Sequence, residues 1–230
     1  MAAHATLGAS KADQWIECPG SIALSSGKVS SSSTYADWGT AAHELASWCL
    51  TSATEPDAAA YKGRKIAVGE KYHTVDDEMI ECVQRYVDIV REYVTNTGGH
   101  LLVEHRVDYS AVIGVPESFG TADAIILAGD ELIVIDLKTG RGEEVDAFEN
   151  KQMRMYAIGA LEDFGQVSDF NTVRKVIVQP RISWNPSEHV DTVDELNAFA
   201  AKAARAGQIA MLCLDGADDP LLHLKAGEKQ

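Results

Sequence analysis

The stretch "LIVIDLKTGRG", residues 132–142, decides how this chain folds and what lies at its centre. Leu132 to Ile135 is an apolar, β-branched run of the kind that forms a buried strand. It ends in Asp136 and Lys138, which share a face because strand side chains alternate with a period of two. An acid and a base at the point where the chain leaves the interior read in two ways. They are either an ion pair closing a strand or part of a reactive site.

The neighbouring sequence separates these readings. "GTADAIIL", residues 120–127, is a second strand, and Gly129-Asp130 between the two suits a two-residue hairpin loop, with Gly supplying the unusual backbone angles of its first position. That loop sets Ala128 opposite Glu131, Asp123 opposite Asp136 and Thr121 opposite Lys138. Directly opposed residues have β-carbons roughly 4.5–5.5 Å apart, and like charges there repel. Two carboxylates at the rim of an apolar sheet need a compensating cation. Lys138 supplies one, but a divalent ion compensates better, and carboxylate oxygens suit magnesium or manganese.

Working outward, the pattern predicts a loop over 27–34 and a helix over 40–50. A long polar loop over 51–73 and a helix over 76–96 follow, the helix carrying Met79, Cys82, Val83, Tyr86, Ile89, Val90 and Tyr93 at three- to four-residue steps. "LLVEHRVDY" (101–109) alternates as a strand, and residues 145–164 return to helical spacing. "VRKVIVQP" is a fourth strand stopped by Pro180, and 193–214 is an Ala-rich helix. The order helix, three strands, helix, strand, helix describes an α/β domain whose sheet begins antiparallel.

With 230 residues, 46% of them hydrophobic, the chain can bury a sizeable core, and one domain over 1–230 is expected. No apolar run approaches the ~20 residues that cross a bilayer, and the first residues lack the pattern of a signal peptide. Cys18, Cys49, Cys82 and Cys213 form no CxxC pair, so a reducing, cytoplasmic setting is expected. A net charge of −15 argues against a general nucleic-acid coat protein. It leaves room for an enzyme that meets DNA through a local basic patch and metal ions. "YKGRKIAVGEKYH" (61–73) is one such patch, with Lys62, Arg64, Lys65 and Lys71 against the single acid Glu70. It reads as a basic, aromatic loop for backbone contact and base stacking, or as a plain solvated loop.

Four motifs give these residues a family resemblance. "GTAAH" (Gly39–His43), "GTAD" (Gly120–Asp123), "DLKTG" (Asp136–Gly140) and "QMRMY" (Gln152–Tyr156) occur in this order. They resemble the PD-(D/E)XK nuclease superfamily, most of all its RecB-like branch with CRISPR-associated and phage exonucleases. The resemblance implies a restriction-endonuclease-like core: a central mixed sheet built as helix, three-strand antiparallel meander, helix, strand, flanked by helices. It implies a metal-dependent DNA exonuclease of phage or bacterial recombination or repair, working in the cytoplasm of a bacterial host. Its partners would be single- or double-stranded DNA ends and a recombination protein such as a single-strand annealing protein.

The site residues carry over one by one. His43, Asp123, Asp136 and the carbonyl of Leu137 would ligate Mg2+ or Mn2+, and Lys138 would assist the attacking water. Gln152 and Tyr156, one helical turn apart on a shared face, would border the site and contact DNA. Glu104, on the preceding strand, is a supporting acid. Without the motifs, a lone helical His is ordinarily a surface or core residue, and Gln152–Tyr156 a helix-surface pair. "HELAS" is not a zinc-protease motif, because Ser47 stands in the place of the second His.

Cys18 in "WIECPGS" resembles the first iron–sulfur ligand of relatives that carry three more cysteines after the last helix. Here only Cys213 lies in that region. Four thiolates hold a [4Fe–4S] cluster, so this sequence as it stands is expected to purify without one: either this branch has lost the cluster, or the sequence stops just before the cysteine-rich extension. Two other functions compete: a catalytically silent DNA- or partner-binding module on the same fold, and a different metal-dependent hydrolase. The second lacks any Gly-rich phosphate loop or His-rich metal spacing in its favour.

Overall fold

The computed structural model describes residues 5–27 and 34–225. Two short helices, α1 (Ala12–Glu17) and α2 (Gly20–Ser25), precede the long α3 (Thr34–Thr51). A small hairpin, β1 (Lys65–Val68) and β2 (Lys71–Thr74), leads into α4 (Asp77–Thr97). Next come β3 (His100–Asp108), the single turn α5 (Ser110–Ile113), β4 (Phe119–Ala128) and β5 (Glu131–Leu137). Then follow α6 (Lys151–Phe164), β6 (Thr172–Val178), β7 (Ser187–Thr192), α7 (Val193–Leu214) and a short 3-10 helix, Pro220–His223.

The five strands β3 to β7 form one sheet in sequence order. All neighbours are antiparallel except β5 and β6, which run parallel because α6 carries the chain back between them. This mixed sheet flanked by helices has the expected order of helix, three-strand meander, helix and strand. Every β5 residue from Leu132 to Leu137 is buried, since helices cover both faces and leave no solvent side to alternate toward. Leu132 and Val134 pack with α6 and α7 on one face. Ile133 and Ile135 pack with α3 and α4 on the other.

Helix ends follow local chemistry. Asp76 accepts the Met79 amide at the start of α4, and Gly98 stops that helix in a left-handed conformation at φ 64°. A reciprocal cap of Thr192 and Glu195 opens α7.

Several expectations require correction. The 51–73 segment is not a long loop: a short 3-10 helix, Ala58–Tyr61, and the β1–β2 hairpin occupy most of it. Each of these strands has four residues, and of the eight only Ile66 is buried, too little alternation to read as a strand. The helix placed at 145–164 begins only at Lys151, where Asn150 caps the Met153 amide. Before it, the Val145 and Ala147 amides are taken by the Gln179 and Ser187 side chains. β7 and the first two helices had no strong periodicity. α3 begins earlier than expected, at Thr34, and of the loop placed at 27–34, residues 28–33 lie outside the described residues.

The central hairpin keeps its expected register from Ala128–Glu131 to Ala124–Ile135, with Gly129 at φ 66°. Beyond that point the expected pairings of Asp123 with Asp136 and of Thr121 with Lys138 do not form. The Lys138 amide instead donates to the Val178 carbonyl of β6, while Thr121 stays paired with Arg106 of β3. The strands β4 and β5 part where the acids stand.

Candidate metal centre

The parting has a cause in β4. Ala122 packs into the cluster on one face of the sheet and Ala124 into the cluster on the other, so the two-residue alternation slips at Asp123. Across from Asp123, in the register of β3, Glu104 has a left-handed backbone at φ 50° and drops out of an otherwise regular ladder. Glu104, Asp123 and Asp136 therefore stand at one level on three adjacent strands, where the two inter-strand ladders open.

Each carboxylate is held differently. Asp123 Oδ2 accepts the Leu137 amide at 2.7 Å, and its Oδ1 lies 3.1 Å from His43 Nδ1 on α3. Asp136 is buried; its Oδ2 lies 2.9 Å from the Lys138 ammonium in an ion pair, and its Oδ1 accepts from Gln152 Nε2 at 3.3 Å. Asp136 and Lys138 do meet on one face. Gln152 joins them: its Oε1 accepts from Lys138 Nζ at 2.7 Å, and its Nε2 also donates to the Tyr156 hydroxyl at 2.8 Å. Tyr156 is only 5% exposed, so the structure makes it a buried prop of Gln152.

The motif glycines explain how four separate segments meet. A β-carbon on Gly39 would stand 2.8 Å from Thr139 Oγ1, and one on Gly120 would stand 2.6 Å from the Tyr156 ring and 2.9 Å from Ala9. "GTAAH" thus closes against "DLKTG", and "GTAD" closes against "QMRMY", each contact requiring a residue without a side chain.

His43, Glu104 and Asp123 form a group whose donor atoms all lie within 4.8 Å of one another. Asp136 is outside this group, its carboxylate committed to Lys138 and Gln152. Glu104, read from sequence only as a supporting acid, takes the more central place. The β3–β4 pairing, which the sequence pattern did not fix, is what sets it beside Asp123. Tyr86 of α4 was missed: it read as an apolar helix position, yet its buried hydroxyl has no hydrogen-bond partner among the described residues. Burial, then the fields of Asp123, Asp136 and Glu104, push its pKa well up.

The electrostatics show a site short of positive charge. Loss of solvent on its inner side, then the field of Asp123, pushes Glu104 up to about 7, although its outer edge is exposed. Burial pushes Asp136 up to about 6, with Lys138 opposing and Asp123 adding to the shift. Burial works against a charged His43, but its bond to Asp123 and the surrounding acids win and raise it to about 9. His43 and Glu104 thus bind protons more tightly than usual, and a divalent cation would compete with those protons. The 3.1 Å between His43 Nδ1 and Asp123 Oδ1 is close to the roughly 3 Å edge of an octahedron with 2.0–2.1 Å metal–ligand distances. The donor set and its spacing fit a small divalent ion.

The cysteines stand apart from this centre. Cys18 is half-buried, its sulfur accepting the Lys225 amide at 3.3 Å, and Cys49, Cys82 and Cys213 are buried. No helix is long and apolar enough to cross a membrane among the described residues.

The sequence profile of a family described as "Protein of unknown function (DUF2800)" matches residues 4–218. Among solved structures, the crystal structure of SSO0001 is similar over 90% of this chain and 87% of its own, at 15% identity and a TM-score of 0.33. The alkaline exonuclease LHK-Exo from Laribacter hongkongensis is similar over 76% and 92%, at 12% identity and a TM-score of 0.33.

Proposed function

The chain belongs to the DUF2800 family, and from that premise and the geometry of the acid row we propose that it is a divalent-metal-dependent deoxyribonuclease. One observation carries this reading. Three carboxylates, a histidine and a lysine converge where two strand ladders open, with His43 3.1 Å from Asp123 and Lys138 2.9 Å from Asp136. A structural role gives no reason to gather three acids at one level of the sheet, where burial and then the field of Asp123 push Glu104 and Asp136 above the usual carboxylate range.

His43, Glu104 and Asp123 would hold Mg2+ or Mn2+, with Asp136 and the carbonyl of Leu137 as the further ligands we assign. Bound there, the ion would polarise the phosphodiester and stabilise charge on the leaving oxygen. Lys138, oriented by Asp136 and Gln152, presents an ammonium to the attacking water and to the charge growing on the phosphate. Gln152 fixes the Lys138 rotamer, and Tyr156 fixes Gln152. The resemblance of the four motifs supports an exonuclease of phage or bacterial recombination or repair, acting on DNA ends.

The test is a digestion time course on end-labelled single- and double-stranded DNA with magnesium, manganese or EDTA. Stepwise loss of terminal nucleotides only when metal is present is expected. A protein that binds DNA but cleaves neither form with either ion would instead be the silent module.

A further inference from the structure

Tyr35, Gly39 and His43 are spaced by four and share one face of α3. Gly39 lets that face touch Thr139, so the loop leaving Lys138 runs beside the start of the helix. Between them lies a cavity of about 350 Å3, walled by Tyr35, Thr139, Gly140, Arg141, Gly142 and Arg181. It belongs to no part of the metal centre but adjoins it through Lys138 and His43.

The walls divide into a fixed floor and an open rim. Arg181 lies over the Trp38 indole at 4.3 Å, donates to the Thr139 carbonyl at 2.9 Å and pairs with Glu78 at 2.7 Å. It cannot move without breaking all three contacts. Arg141 also pairs with Glu78, yet its side chain is 62% exposed. Tyr35 is 81% exposed. The β-carbon positions of Gly140 and Gly142 face open space. A surface ion-pair cluster accounts for Glu78 and its two arginines. It does not account for an exposed aromatic ring at the rim of a cavity walled by two arginines, in a chain whose net charge is −15.

We propose that this cavity is a subsite for one unpaired nucleobase of a single-stranded DNA end, an inference that rests on the nuclease reading above. Tyr35 stacks on the base, Arg141 meets an adjacent phosphate, and the Arg181–Trp38 pair forms the rigid floor. The cavity is at the lower end of the about 300–1,000 Å3 of small-molecule sites, which suits a ligand the size of a nucleobase. Within a duplex both faces of a base are covered by its neighbours, whereas each base of a single strand can offer a face to an aromatic side chain. Tyr35 is eight residues from His43, about 12 Å along the helix, so the base held is a few nucleotides from the bond that is cut.

The experiment is fluorescence anisotropy with the full chain in EDTA, which stops cleavage. The probes are a 12-nucleotide oligothymidine, the same strand with one abasic position moved along it, and a blunt duplex. Expected are preference for the single strand and one abasic position that weakens binding roughly 5- to 150-fold, the range of one base stack. Tyr35→Ala should weaken the intact strand by the same factor and become indifferent to that position, while Tyr35→Trp retains the wild-type pattern. Arg141→Ala should lower the salt slope by about one ion. A wild-type protein that binds the strand with a flat abasic scan, or a Tyr35→Ala protein of unchanged affinity, overturns the subsite alone. No binding to any probe, in EDTA or with calcium, overturns the nuclease reading and the subsite together.

Discussion

Glu104 holds a left-handed backbone in the middle of a strand, a conformation that costs a residue with a β-carbon about 1–2 kcal/mol. Such strain persists where neighbours over-determine it, and it concentrates at functional sites. Glu104→Gly should therefore be more stable than Glu104→Ala by about 1 kcal/mol in urea melts, and both should lose metal affinity. Equal stability of the two would mean the strain is absent in solution. Beside it, Asp136 and Lys138 separate a chemical from a structural role. Asp136→Asn should abolish metal-dependent cleavage yet keep or raise metal-free stability, because it removes a buried charge from a crowded cluster. Lys138→Ala should abolish cleavage and destabilise, by up to about 3 kcal/mol and less as pH falls through 6, where Asp136 takes up a proton. A plain salt bridge predicts that both variants destabilise alike. The pairing of Asp136 with Lys138 was legible because a period of two is a strict rule. The central place of Glu104 was not, because nothing in "LVEHR" marks a left-handed residue.

At the scale of elements, α6 must be held still for Gln152 to reach Lys138 and Asp136. Its anchor is Arg154, which makes two bonds, at 3.0 and 3.1 Å, to Asp191 of β7. The fully buried Lys175 of β6 lies 2.7 Å from the same carboxylate. Asp191→Asn would leave two cations facing each other in the interior, and should cost about 3–5 kcal/mol in denaturant unfolding. A loss under 1 kcal/mol would show that water already screens the site. On the other side of the molecule, Lys62 pairs with Asp77 and Lys71 with Asp37, which leaves Arg64 and Lys65 as the cations of the β1–β2 hairpin best placed to meet DNA. Reversing both to Glu should weaken DNA binding and flatten its salt dependence; unchanged affinity across salt removes the hairpin from the interface. Long helices and the central hairpin were legible because α4, α7 and β5 each carry many turns or a continuous apolar run. β1, β2 and β7 were not, because so few of their residues are buried that tertiary contacts, not pattern, define them.

For the molecule as a whole, the site couples stability to pH and to metal. His43, Glu104 and Asp136 are all raised above their ordinary values, to about 9, 7 and 6. The folded metal-free protein therefore holds protons that the unfolded chain releases, so the stability these groups contribute is present at low pH and lost as pH rises through 6, 7 and 9. Melts in EDTA should fall across that window. Manganese should raise the melting temperature most at its upper end, where the ligands are already deprotonated. A metal effect that does not grow with pH would contradict the assignment. The central claim, that His43, Glu104 and Asp123 form one cation site, is tested most directly by calorimetric titration of manganese into the wild-type protein and the Asp123→Asn variant at pH 8. Saturable binding with proton release in the wild type, lost in the variant, is predicted; identical titrations, or no binding to the wild type, would contradict it.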